Sequence, residues 1–224
     1  MLPIIEAQPD EIYDIELEHS LLAANAKLAR ENRALLDQNG ITAIDFMGAI
    51  GSGKTTLITR LVEKLKDKMG VAVFNGDATT ADDADAIAQQ NVPVVQIATI
   101  NGCHLDANLV GKGLRQIELG NLKLIFIENI GNLICPAEFP LGSKARVVVV
   151  SVTEGPWMVR KHPHMFLGAQ LVVINKIDLA EAMEVSVEQL INDVHVLKPD
   201  LKVIPTSCKR GTGLEEVAAT LLAV

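Results

Sequence analysis

Eight consecutive residues, Gly48-Ala49-Ile50-Gly51-Ser52-Gly53-Lys54-Thr55, carry the densest chemistry in the chain and match the pattern G-x-x-x-x-G-K-[ST]. Small residues let successive backbone N–H groups converge on phosphate oxygens, and a helix starting here adds the positive end of its dipole. Lys54 can reach the β and γ oxygens and stabilise the charge that develops during phosphoryl transfer, while the Thr55 hydroxyl can ligate Mg²⁺. The pattern follows the apolar run Ile41 to Met47 and precedes the amphipathic run Thr56 to Met69, the strand-loop-helix setting that a phosphate cradle requires. The candidate phosphate contacts are therefore Gly48, Gly51, Ser52, Gly53, Lys54, Thr55 and Thr56.

A phosphate cradle does not choose a base. Farther along, Asn175-Lys176-Ile177-Asp178 closes an apolar run and looks like the N-K-x-D signature of GTPases. A carboxylate at Asp178 would accept from guanine N1–H and the N2 amino group, a donor pair adenine lacks, while Asn175 and Lys176 shape and cover the site. Thr206-Ser207-Cys208-Lys209 resembles the weaker S-x-K element, which sets a backbone N–H and a lysine stem against the base, so Ser207 and Lys209 join the candidates. The Cys208 thiol reads as a residue of that loop rather than a metal ligand. Two acids at run ends, Asp77 and Glu128, are candidates for the water and metal chemistry of hydrolysis. Asp77 is assigned to the Mg²⁺ and water side, and Glu128 to sensing the γ-phosphate with Gly131 as its hinge.

These groups need a scaffold that brings run ends together. Short apolar runs, Ile41 to Met47, Val71 to Asn75, Val94 to Ile97, Leu124 to Glu128, Arg146 to Ser151, Leu171 to Asn175 and Lys202 to Pro205, alternate with helical segments. That pattern predicts an α/β fold with a mostly parallel seven-stranded sheet whose strand C-termini share one side, where ligands bind. Hydrophobic residues make up 49% of the chain and aromatics 3%, which suits strands of Val, Ile and Leu buried on both faces. From Glu11 to about Gln38 the chain reads as one helix with Ile15, Leu21, Leu22, Leu28, Leu35 and Leu36 at roughly helical spacing, stopped by Asn39-Gly40. It either caps an edge of the domain or binds a partner or second copy. The division expected is a helical extension over 1–39 and a P-loop GTPase domain over 40–224.

A net charge of −8 argues against nucleic-acid and anionic-membrane partners, which need a positive surface. No apolar stretch of about 18 residues and no signal-peptide pattern is visible, so a cytoplasmic location is expected. Three cysteines, Cys103, Cys135 and Cys208, do not suggest a disulfide scaffold. Cys103 and His104 are adjacent, and Cys135 follows the Glu128 to Gly131 segment; thiolate and imidazole suit Ni²⁺ or Zn²⁺. Spacing alone favours a buried cysteine and a satisfied histidine over a ligand pair.

DFMGAIGSGKTTLI, GCHLDANLV, FIENIGNLICPAEF and VINKIDL resemble HypB, the family of GTPases that incorporate nickel into hydrogenase. The resemblance runs over nearly the whole chain and implies a SIMIBI-type G domain that binds and hydrolyses GTP with Mg²⁺. It further implies a nickel-delivery role, with Cys103, His104 and Cys135 holding Ni²⁺ or Zn²⁺ between the subunits of a GTP-promoted homodimer. The implied partners are a HypA-type nickel-binding accessory protein and the hydrogenase large subunit. No cysteine precedes Cys103 and His19 stands alone, so the N-terminal nickel-storage cluster of some relatives is not supported. Thr99-Ile100-Asn101-Gly102 replaces the T-G-K of many relatives, and no role of that lysine carries over. His162 and His164 read as decoration of a loop. A urease-type accessory GTPase, or a switch that dimerises without useful hydrolysis, remains the alternative, and slow intrinsic hydrolysis is expected because no arginine finger is evident.

Overall fold

Strands that are apolar throughout must be covered on both faces, and the architecture follows from that requirement. A computed structural model describes residues 12–76, 89–98 and 104–224. The strands are β1 (Thr42–Met47), β2 (Val71–Asn75), β3 (Val94–Gln96), β4 (Leu124–Glu128), β5 (Ala145–Ser151), β6 (Leu171–Asn175) and β7 (Lys202–Pro205). They form a seven-stranded sheet in the order β3-β2-β4-β1-β5-β6-β7. All neighbouring pairs are parallel, where sequence patterning predicted a mostly parallel sheet. Every residue of β2, β4 and β6 is buried.

Helices cover both faces: α1 (Ile12–Gln38), α2 (Lys54–Leu65), α3 (Ala107–Leu114), α4 (Met158–Lys161), α5 (Pro163–Leu167), α6 (Val187–Leu197) and α7 (Leu214–Leu222). On one face Leu57, Leu61, Val217 and Leu221 of α2 and α7 meet Ile44, Phe46, Phe126 and Val147 in a continuous core. The other face carries two separate apolar clusters. Leu36, Val110 and Leu114 cover Ala72, Phe74 and Ile125 on the β2 side, while Val159, Phe166 and Val194 cover Val148, Val172 and Ile174 on the β6 side. Between the two clusters, on that same face, lie the charged side chains of Asp45 and Arg146, aligned partners in the β1–β5 register.

The expected long helix is present, and of the leucines noted at helical spacing Leu36 falls in its buried stripe. Asn25, Ala29, Asn32 and Leu36 point inward, while Leu21 is 55% exposed. The reason is tertiary: α1 packs chiefly against α3, and the contact line there follows small and carboxamide side chains rather than the bulkiest ones. Among the described residues no helix is long and apolar enough to cross a membrane.

Candidate functional site

The central strand β1 delivers the chain into the loop 48–53, and α2 starts at Lys54, so the N-terminal turn of α2, with its unpaired backbone N–H groups, opens at the end of the loop. Gly53 is obligatory twice over: its φ is +95°, and a Cβ there would lie 2.3 Å from Asn175 Nδ2. Lys54 is buried, and its ammonium donates to the Gly48 and Ala49 carbonyls at 3.1 Å each, folding back over the loop. Ser52 Oγ is buried without a hydrogen-bond partner among the described residues. Thr55 Oγ1 donates to Glu128 Oε1 at 2.6 Å, so the end of β4 and the start of α2 are joined at the place proposed for Mg²⁺. A hydroxyl and a carboxylate are the hard oxygen donors that this ion prefers, and the residues present therefore fit it. Asp77, the other acid expected there, lies outside the described residues.

The segment after Glu128 presses on the phosphate loop. A Cβ on Gly131 would come within 2.3 Å of Ile50 Cγ1, and Gly48 forms an isolated antiparallel bridge with Asn132. The expected hinge is thus packed against the loop whose contents it would report.

At the other end of the site Asn175 is a hub. Its Nδ2 donates to Ser52 O at 3.0 Å, and its Oδ1 accepts from Thr206 Oγ1 and Cys208 N, both at 3.2 Å. The N-K-x-D loop is thereby bolted to the phosphate loop and to the loop after β7. Lys176 adopts a left-handed conformation and donates to Gly51 O at 2.6 Å. Ser207 Oγ donates to Asp178 Oδ1 at 2.6 Å, and Arg210 Nε stands 3.9 Å from Oδ2. Both act on the carboxyl in the same direction, the serine bond foremost, and hold it below the usual carboxylate range. Ser207 therefore orients the Asp178 carboxyl, a task its motif does not announce. Cys208 is buried, and burial pushes its thiol up to about 11, which keeps it protonated and suits a packing role.

Gly53, Thr56, Asn175, Lys176, Asp178 and Lys209 line a cavity of about 290 Å³. It adjoins a second of about 260 Å³ lined by Gly51, Lys54, Thr55 and Glu128, with Gly53, Thr56 and Lys176 common to both. One continuous cleft thus connects a base-sized space with a phosphate-sized one. A larger cavity, about 460 Å³, lies at the opposite end of β5 between α1 and residues 140–146. Three of its four cations are already engaged, Arg33 by Asp37, Arg146 by Asp45 and Lys144 by the Val224 carbonyl, and it lies away from the G-x-x-x-x-G-K-T and N-K-x-D loops. The chemistry therefore belongs to the smaller cleft.

Glu154 was not singled out by the sequence. It closes a capping box in which Ser151 N donates to its Oε1 at 2.8 Å, while Oε2 is buried without a partner among the described residues. Burial raises its carboxyl to about 7 against the opposing pull of the Ser151 N–H and of Lys54 and Lys176.

The candidate nickel residues fall in two segments. Cys103 lies outside the described residues; His104 is described and stacks on Phe139, with centroids 3.8 Å apart. Desolvation lowers the His104 pKa, against the opposing influence of Asp106 and Glu138. Cys135 opens a 3-10 turn, Cys135–Ala137, that leads to Phe139. The two segments therefore meet at the His104–Phe139 stack. No group of three or more potential metal-binding side chains is gathered among the described residues, His162 and His164 included.

A buried polar chain runs from the nucleotide side to these segments. Asn129, next after Glu128, accepts from Leu105 N and Ile130 N on Oδ1, at 3.1 and 3.0 Å, and donates to Asp45 Oδ1 at 3.1 Å. Arg146 Nε lies 3.3 Å from Asp45 Oδ2, and the same guanidinium donates to Ala137 O at 2.9 Å and Pro136 O at 3.4 Å. A lone acid in TAIDFM and a lone base in ARVVVVS were the available signals, since a charge on a two-sided buried strand must be paired.

A wholly parallel sheet with a G-x-x-x-x-G-K-T loop after its central strand defines a P-loop nucleotide-hydrolysing domain. Residues 42–205 match the CobW/HypB/UreG nucleotide-binding domain family. The "Probable hydrogenase maturation factor HypB" of Methanocaldococcus jannaschii is 45% identical over 203 residues, 91% of this chain and 92% of that protein. The crystal structure of HypB from Archaeoglobus fulgidus superposes with a TM-score of 0.85 at 41% identity, over 90% of this chain and 98% of that one. HypB from Helicobacter pylori in complex with nickel superposes at 0.84 and 33% identity, over 89% and 94% of the two chains. The chain belongs to the HypB hydrogenase maturation factors.

Proposed function

We propose that the chain binds GTP with Mg²⁺, hydrolyses it slowly, and uses the cycle to deliver nickel during maturation of nickel–iron hydrogenase. The observation that carries the GTP reading is the Ser207–Asp178 hydrogen bond at the base end of the cleft. A carboxylate fixed in that orientation accepts from the two adjacent donors of guanine and finds no such pair on adenine. Lys54 and the loop N–H groups hold the phosphates; Thr55 and Glu128, with Asp77, would hold Mg²⁺, which when bound offsets the charge on the β and γ oxygens. The Thr55–Glu128 bond favours Glu128 on the metal side rather than as a remote sensor. An ion held by Thr55 would compete with that bond at Glu128, and the side chain of the next residue, Asn129, reaches Leu105 N and, through Asp45 and Arg146, the Pro136 and Ala137 carbonyls. Cys103, His104 and Cys135 are the proposed Ni²⁺ or Zn²⁺ ligands. One chain supplies fewer than the four of a closed site, so a second copy completes it in a GTP-promoted homodimer. A HypA-type accessory protein and the hydrogenase large subunit are the proposed partners on either side of the transfer.

Sedimentation velocity with GDP, then with a non-hydrolysable GTP analogue, each with and without one equivalent of Ni²⁺ or Zn²⁺, tests this reading. A monomer-to-dimer shift that needs analogue and metal together, and loses the metal contribution in Cys103→Ala, is expected. No shift under any condition refutes the interfacial metal site.

A further inference from the structure

The body-facing stripe of α1 consists of Asn25, Ala29, Asn32 and Leu36, spaced i, i+4, i+7, i+11. Asn25 and Asn32 are 6% and 7% exposed. A stripe meant only to hold a helix down would be apolar, because each buried carboxamide must be fully partnered to avoid a desolvation cost. Both asparagines are partnered, and both reach the same two places. Asn25 Oδ1 accepts from Ala107 N at 2.8 Å while its Nδ2 donates to Pro140 O at 2.9 Å. Asn32 Nδ2 donates to Ala107 O at 2.7 Å and to Leu141 O at 3.1 Å. Each side chain therefore ties residue 107 to residues 140–141.

Those are the downstream ends of the two segments that meet at the His104–Phe139 stack. Ala107 opens α3 just beyond His104, and Pro140 follows Phe139 at the exit of the Cys135–Ala137 turn. The opposite approach, through Asn129 and Arg146, grips the same segments at Leu105 N and at the Pro136 and Ala137 carbonyls. The segments are thus held from the nucleotide side by one set of buried polar groups and from the α1 side by another.

We propose that α1 is a strap that sets the distance between the two metal-bearing segments, with Asn25 and Asn32 as positioning residues for metal binding. This rests on the metal reading of those segments given above. The strap is a second input to metal affinity, independent of the bound nucleotide: seating α1 fixes the segments, and unseating it loosens them while the phosphate and base contacts stay as they are. Groups that orient ligands without touching the metal change affinity by about 10- to 100-fold when removed.

The test titrates the full-length, GDP-loaded protein with Ni²⁺ against a chromophoric chelator and measures GDP affinity in parallel. In Asn25→Ala/Asn32→Ala the Ni²⁺ dissociation constant is expected to rise about tenfold, with the GDP dissociation constant unchanged. Leu21→Ala, on the exposed side of α1, is expected to match the wild type in both. Unchanged Ni²⁺ affinity in the double variant, or a parallel loss of GDP binding, overturns the strap. Should the double variant not fold, Asn25→Ala keeps the Asn32 bonds, and a rise of about threefold in the Ni²⁺ constant is expected from it. A wild-type protein that binds no Ni²⁺ would remove the metal reading itself, a result distinct from one in which the wild type binds and the variants match it.

Discussion

Replacing Arg146 with methionine keeps the volume of the aliphatic stem and withdraws only the charge and the donors. Asp45 is fully buried, 3.3 Å from the guanidinium, and also accepts from the Asn129 amide at 3.1 Å. Burial raises the Asp45 pKa, and Arg146 is the strongest of the influences that draw it back down. Removing one member of a buried ion pair costs about 3–5 kcal/mol, because the survivor is left as an uncompensated buried charge. Asp45 can avoid part of that cost by taking up a proton, which makes the loss depend on pH. The folded-state pKa lies above the unfolded one, so its contribution to stability is full below the unfolded value and is lost as pH rises through the folded value. Loss of Arg146 moves the folded value higher still and extends that window upward. Urea denaturation from about pH 5 to about pH 8 should therefore show an Arg146→Met deficit that grows toward neutral pH, with the m-value unchanged. Asp45→Asn/Arg146→Met should lose the pH slope and recover part of the deficit. A deficit below about 1 kcal/mol at every pH, or one of equal size across the range, would show that Asp45 does not depend on this guanidinium.

Four other outcomes follow. Asp178→Asn should weaken GTP binding by at least about tenfold and improve xanthosine triphosphate binding, because the carboxamide offers a donor where xanthine needs one; competition against a fluorescent nucleotide reads both. Ser207→Ala should weaken GTP by about threefold and leave ATP binding where it was, which separates orientation of Asp178 from contact with the phosphates. Glu128→Gln should raise the Mg²⁺ concentration needed for half-maximal GTP hydrolysis by about tenfold, measured by phosphate release. Glu154→Gln should flatten the thermal midpoint between pH 4.5 and about 7, the window in which the wild-type carboxyl, raised in the folded state, loses its stabilising contribution as pH increases.

Local pattern revealed the sheet and the nucleotide motifs because both are written in neighbouring residues. The runs that became β2, β4, β6 and β7 were bounded correctly, and β1, β3 and β5 to within a residue; for β2, β4 and β6, buried throughout, this follows because a parallel strand covered on both faces is mostly apolar along its length. G-x-x-x-x-G-K-T and N-K-x-D were legible for the same reason, although only the fold reveals that Asn175 bolts the two together across 123 positions. What pattern could not supply were pairings between distant positions: Asp45 with Arg146 at a separation of 101, and Asn25 with Pro140 at 115. A lone acid in an apolar strand signals that a partner exists and does not name it. The stripe of α1 was not legible because an apolar count passes over asparagine, whereas its contact line includes carboxamides that satisfy backbone groups of other segments. Asp77 and Cys103 lie outside the described residues.

The placement of the polar groups bears on how a nucleotide signal could move through so rigid a sheet. The face beneath α2 and α7 is one unbroken apolar core, which resists small displacements because every shift opens a void. The opposite face is split, and the split is filled by Asp45, Arg146 and Asn129 rather than by hydrocarbon. Hydrogen-bonded groups can exchange one partner for another with little change in packing, so two arrangements of a polar seam can differ by little free energy where two packings of an apolar core cannot. In the proposed mechanism the seam is therefore the element that both ligands bias: the nucleotide at Glu128 and Asn129, the metal segments at Leu105, Pro136 and Ala137. A ligand shifts such an equilibrium only by its differential affinity for the two arrangements. Asn129→Ala should accordingly leave the GDP and Ni²⁺ sites each able to fill while removing the dependence of Ni²⁺ affinity on the nucleotide bound. Equal coupling in wild type and variant, measured as the ratio of Ni²⁺ dissociation constants with GDP and with a GTP analogue, would place the connection elsewhere in the fold.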